Sequence, residues 1–150
     1  MTFSEYRQFD ALGLAELVQQ GEITATELLD LAIARTEAVN PSINAIIHSL
    51  YEHAREQLEK GHVSASSPFA GVPFLIKDLG LNLQGTPTRI GSRSTPAGPA
   101  MESSYLVQAF EEAGMLIFGK TNTPEFGLTP FTEPELFGPT RNPWGLEYTA

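Results

Sequence analysis

The sequence predicts an α/β fold, and three features carry that prediction. Apolar residues recur at helical period through the first sixty residues. Two short apolar runs framed by Gly and Pro, "GVPFLIKD" from Gly71 and "MLIFGK" from Met115, bracket a further helical segment. Strand, helix, strand implies a parallel pair joined by a right-handed crossover. The stretch from Thr121 to Ala150 holds five prolines and no convincing regular element.

The elements follow in chain order. Asp10 is placed to cap "ALGLAELVQQ", and Gly21 to end it. Thr24 and Glu27 have the spacing at which each side chain satisfies a free backbone amide of the other. Leu28, Leu29, Ala32, Ile33 and Thr36 then share one helix face, and Pro41 is expected to halt the run. A third helix is expected within "INAIIHSLYEHAREQLEKG", closing at Gly61. "HVSASSP" is a polar connection, and "FAGVPFLIKDL" reads as a buried strand. Residues 84 to 101, rich in Gly, Thr, Ser and Pro, read as a long loop. "SSYLVQAFEEAG" restores helical spacing, with Leu106, Val107, Phe110 and Ala113 on one face and Gly114 at its end; "MLIFGK" is a second buried strand. The organisation is thus helical over 10–60, α/β over 69–120 and loop-rich over 121–150.

A structureless stretch longer than about 12–15 residues inside a compact domain is usually functional or disordered. The tail aromatics Phe126, Phe131, Phe137 and Trp144 argue against disorder. Two parallel strands alone are also too little sheet, since both are edges. The chain is therefore expected to represent the N-terminal part of a larger single domain, the remainder of which lies outside these 150 residues.

Charge and composition exclude several function classes. The net charge of -9 makes direct contact with a phosphate backbone unexpected, because such contact draws on Lys and Arg. Without cysteine there is no disulfide, thiolate nucleophile or cysteine-bound zinc. The N-terminal "MTFSEYRQFD" has neither the basic stub nor the apolar core of a signal peptide, and no apolar stretch is long enough to cross a bilayer, so a cytoplasmic location is expected. His48 and His53, five apart, do not share a helix face, so no metal is expected, and nothing calls for a cofactor. "LQGTPTRIGSRS" lacks the phosphate-loop ending, and Arg89 and Arg93 read as solvated loop charges. Glu111 and Glu112, like Glu125, Glu133 and Glu135, read as surface charge.

Lys77 is the residue that stands out, a charge at the end of an apolar strand. It is either a strand-end lysine that reaches water or pairs with Asp78, or a buried amine. Burial disfavours the charged form of an amine, and a neutral lysine can serve as base to a hydroxyl nucleophile. Ligand sites of parallel sheets lie beyond the carboxyl ends of the strands, where Lys77 would sit.

"GVPFLIKD", "GKTNTPEFG" and "FGPTRNPW", in that order, resemble the amidase signature family, and the likeness runs from about Phe69 to Trp144. "FAGVPFLIKDL" with "TEPELFGPTRNPW" is most similar to the branch holding general bacterial amidases and the hydrolase of cyclic aminohexanoate dimer. The resemblance implies a large mixed sheet wrapped by helices and a Ser–cis-Ser–Lys triad that cleaves small-molecule amides. Lys77 matches the lysine of the triad, which makes it the general base, with Asp78 structural. The resemblance also places the backbone around Gly127 in the acyl pocket, where the plain reading is a turn glycine. Both serines of the family lie in a Ser/Gly-rich block after the "NPW" segment, beyond residue 150, so the segment alone is expected to be inactive. No partner beyond the amide is implied, with a homodimer as the assembly entertained. Two alternatives stay open: the amidase-like component of a tRNA-dependent amidotransferase, and a non-catalytic truncated homologue.

Overall fold

A computed structural model describes all 150 residues. The elements are helices α1 (Phe3–Tyr6), α2 (Ala11–Gln19) and α3 (Ala25–Ile43), strand β1 (Ile46–Ser49), helix α4 (Tyr51–Glu59), strand β2 (Pro73–Lys77), helix α5 (Tyr105–Glu112) and strands β3 (Leu116–Thr121), β4 (Arg141–Asn142) and β5 (Gly145–Thr149). One sheet has the order β1-β3-β2, and β4 and β5 form a separate antiparallel pair. Leu116 N donates to Val72 O at 2.8 Å before the two strands, and Asp78 N donates to Thr121 O at 3.0 Å after them. β2 and β3 therefore run parallel, as strand–helix–strand predicts. β1 runs antiparallel to β3, pairing Ile46 with Thr121 and His48 with Lys120.

The chain divides into two compact units. The first comprises Met1–Glu37, Leu50–Leu75 and Ala109–Phe118. Its helices start where the sequence says they should. Asp10 Oδ1 accepts from Gly13 N at 2.8 Å at the head of α2. Thr24 Oγ1 accepts from Glu27 N at 3.1 Å while Glu27 Oε2 accepts from Thr24 N at 2.9 Å, closing the reciprocal cap of α3. The core is two clusters. Leu28 packs with Leu14, Ala15, Ile23 and Val72, and Leu29 packs with Ala54, Leu116 and Phe118. Neighbouring residues of a helix point about 100° apart, so one turn of α3 serves both clusters. The ring of Phe110 meets that of Phe74 edge-on at 4.9 Å.

The second unit comprises Ala38–Ser49, Ile76–Gln108 and Gly119–Ala150. Here several expectations are corrected. Pro41 does not halt α3, which runs on to Ile43. A proline this near a helix end forfeits one hydrogen bond in the last turn, and Asn40 offsets the loss. Its Oδ1 accepts from Ala45 N and Ile46 N, each at 2.8 Å, and turns the chain out of the helix. The helix expected within "INAIIHSLYEHAREQLEKG" is α4, which ends at Glu59 just before Gly61, while the residues ahead of it form strand β1, so His48 lies on a strand rather than a helix. The tail is not without structure: Glu125–Gly127 form a 3-10 turn, and β4 and β5 a hairpin. Two asparagines anchor it. Asn44 Nδ2 donates to Phe137 O at 2.8 Å, and Asn122 Nδ2 to Gly138 O and Thr140 Oγ1 at 3.0 Å each. Among the residues expected on one face of α5, Val107 is buried, whereas Leu106 is exposed.

Candidate active site

The C-terminal ends of β2 and β3 fall in the second unit and carry its concentration of charge. Successive strand residues point to opposite faces. Lys77 and Asp78, the step that leaves β2, accordingly differ: Lys77 is exposed, and Asp78 is fully buried. The buried amine entertained for Lys77 is thus not what this chain presents.

Asp78 is held on both sides. Its main-chain N is bonded to Thr121 O, and both carboxylate oxygens accept from Arg89 N at 3.2 Å. Burial pushes its pKa up, and the Arg89 amide with the charges of His48 and Lys120 holds it back. Arg89, expected as a solvated loop charge, is half-buried. On β3 the lysine is the buried one. Lys120 is 0% exposed, and its Nζ donates to Pro87 O at 2.6 Å and Thr88 Oγ1 at 2.9 Å. Burial pulls its pKa down, against the opposing pull of Asp78. His48, opposite Lys120 in the sheet, sets its ring edge-on to Phe137 at 5.4 Å. Burial lowers its pKa, partly countered by Asp78.

Sequence reasoning passed over Lys120, although "MLIFGK" shows the same signal as "PFLIK", an apolar run closed by one lysine. What separates the two is that Pro87 and Thr88 meet the Lys120 amine, whereas Lys77 is exposed.

Two loops lock together beside these strand ends. Phe126 N donates to Ile90 O at 2.9 Å, and buried Ser92 donates through Oγ to Glu125 Oε1 at 2.6 Å, so Glu125 is more than the surface charge expected. Ile90 and Phe126 hold left-handed backbone at φ 52° and 54°, conformations that cost a side-chain-bearing residue energy and persist only where surroundings impose them. Next to Ile90, a Cβ on Gly91 would lie 2.7 Å from Thr123 O. Gly127 has φ 70°, and a Cβ there would meet Leu79 Cδ2 at 2.8 Å. The structure therefore seats Gly127 beside the tip of the Leu79 side chain, two residues past Lys77, in a left-handed conformation that favours glycine. Ser92 Oγ bonds Ser94 Oγ at 2.9 Å as well as Glu125, whereas the buried Thr123 Oγ1 has no hydrogen-bond partner. No group of three or more His, Cys, Asp or Glu side chains is placed to hold a metal ion.

Comparison with known proteins bears on this arrangement. The family model described as Amidase matches residues 27–150. A 6-aminohexanoate-cyclic-dimer hydrolase from Paenarthrobacter ureafaciens is 49% identical over 139 residues, which cover 91% of this chain and 27% of the relative. A lipoamidase from Enterococcus faecalis is 38% identical over 94% of this chain and 19% of its own length. A solved 6-aminohexanoate cyclic dimer hydrolase superposes with a TM-score of 0.85 at 46% identity, covering 94% of this chain and 29% of that one. The chain thus spans little more than a quarter of the length of the hydrolase relative, and what it holds is part of that fold.

Proposed function

This chain belongs to the amidase signature family, and from that premise we propose that it supplies the general base, Lys77, of an amidohydrolase. The observation that carries the reading is the placement of Lys77: its amine stands at the carboxyl end of a parallel strand, in a chain that matches amide hydrolases over most of its length. In the proposed reaction a neutral Lys77 accepts a proton from one serine, which takes it from a second. The second serine attacks the amide carbonyl, the tetrahedral adduct expels the amine with a returned proton, and water releases the acid from the acyl ester. Both serines belong to sequence after residue 150. The acyl pocket includes the backbone at Gly127, which has no side chain and lies against Leu79. The substrate is a small carboxylic amide, and the cyclic dimer named for the relatives is the first compound to assay. The reaction calls for no cofactor, and the protein is placed in the cytoplasm.

The test is Lys77→Ala in the intact reading frame. Amide turnover is expected to fall by roughly 10²–10⁴-fold, the ordinary contribution of a positioned base, while the fold is kept. Near-normal turnover by the folded variant would remove Lys77 from the role.

A further inference from the structure

We infer that Asp78 and Lys120 are a pair of positioning residues, clamping the segment Pro87–Gly91 across the ends of β2 and β3 so that Lys77 presents its amine from a fixed root. The inference rests on the reading of Lys77 as the base. Both residues are fully buried and charged, and both spend their polar atoms on the same short stretch of chain. Lys120 takes Pro87 O and Thr88 Oγ1, Asp78 takes Arg89 N with both oxygens, and Phe126 N closes the set on Ile90 O. Successive residues of the segment are therefore held from β2, from β3 and from the 3-10 turn.

The consequence for Lys77 is geometric. Consecutive Cα atoms are about 3.8 Å apart across a rigid planar peptide. Residue 78 is bonded through its main chain to Thr121 and through its side chain to Arg89, so the peptide joining it to Lys77 cannot turn without breaking one of these bonds. The Lys77 side chain keeps its rotamers, but its point of departure is set. The two make no direct ion pair; each feels the other's opposite charge at a distance, so removing one leaves the other less compensated in the interior. A buried polar pair whose groups are directed at one loop is suited to specifying that loop's position. Neither side chain reaches solvent in this chain, so both act on the reaction through the residues they position, Lys77 first among them.

The experiment compares Asp78→Asn, Lys120→Met and the double variant with Lys77→Ala in the full-length enzyme, on the amide it hydrolyses. Each single variant is expected to lower kcat by about 10- to 100-fold, the cost of a small misplacement of a reacting group, with KM within about twofold of wild type. The double variant should be no slower than the slower single variant. Thr88→Val, which removes one acceptor of Lys120 without touching a charge, should lower kcat several-fold, and Thr88→Ser, which keeps the hydroxyl, should restore it. Should the charge variants fail to fold, the Thr88 pair decides. Folded variants with wild-type kcat, or with losses confined to yield and melting temperature, would overturn the positioning role. If Lys77→Ala is inactive while Asp78→Asn is normal, only this inference falls; if Lys77→Ala is fully active, both fall.

Discussion

Lys77 ends one of two neighbouring parallel strands and Lys120 stands one residue before the end of the other, and water reaches only the first. For Lys120 this difference has a measurable sign. Its burial lowers the folded-state pKa below the ordinary 10.5. Below the folded pKa both states are charged, and the penalty for burying the cation is present in full. Between the folded pKa and 10.5 the unfolded chain holds a proton that the folded chain lacks, so the free energy of unfolding rises with pH. The unfolding free energy of wild type minus that of Lys120→Met should therefore rise as pH approaches 10.5 from below, read from urea titrations at each pH. A difference that stays flat would contradict the burial of a charged amine. The two lysines also mark how far residue-level reading reaches. An apolar run ended by a charge locates both strand ends, but which amine is covered depends on Pro87 and Thr88, more than thirty positions from Lys120. No local pattern reports that contact. Asp78 was legible only as the neighbour of Lys77, because its partner, the Arg89 amide, belongs to a loop whose path the sequence leaves open.

α3 shows what is legible at the scale of an element. Its cap is written in Thr24 and Glu27, and its apolar face in Leu28, Leu29 and Ile33, because both arise from residues three or four apart. The division of that face between two clusters is not written there. Leu28 and Leu29 are both fully buried, and truncating either to alanine is expected to cost about 2–5 kcal/mol of stability, the range for deleting a core leucine side chain. Urea midpoints would show it, and a loss below about 1 kcal/mol at either site would mean that its cluster collapses to fill the space. β1 escaped notice for a complementary reason. "IIHS" is short, sits between two helices and reads equally as a first helical turn; its strand character comes from pairing with β3. The tail hairpin was hidden too, since "GLEYT" is largely exposed and has no buried face to impose alternation.

On the scale of the molecule, the apolar side chains left in water are the prominent feature. Tyr105 is 91% exposed, Leu128 80% and Trp144 94%, and apolar exposure on this scale marks surface that a partner or further chain covers when it forms one patch. The sequence signalled this through aromatics in a proline-rich tail, though it could not say that Phe137 would find the ring of His48 to meet. These 150 residues cover 27% of the hydrolase relative, and on the proposed assignment, with both serines outside them, they should not turn over amides. Incubating these 150 residues with the cyclic dimer should release no amine above the buffer blank, and sustained release would show that a serine within the chain serves Lys77. The sheet order also bears on how the protein is made. β1 leaves the ribosome about 75 residues before its partner end of β3, so at 5–20 residues per second it waits roughly 4–15 s with both edges unpaired. Only when Thr121 has emerged can the middle strand arrive, and it then completes both neighbours at once. Throughout that interval the nascent "IIHS" segment has no strand of this sheet to pair with.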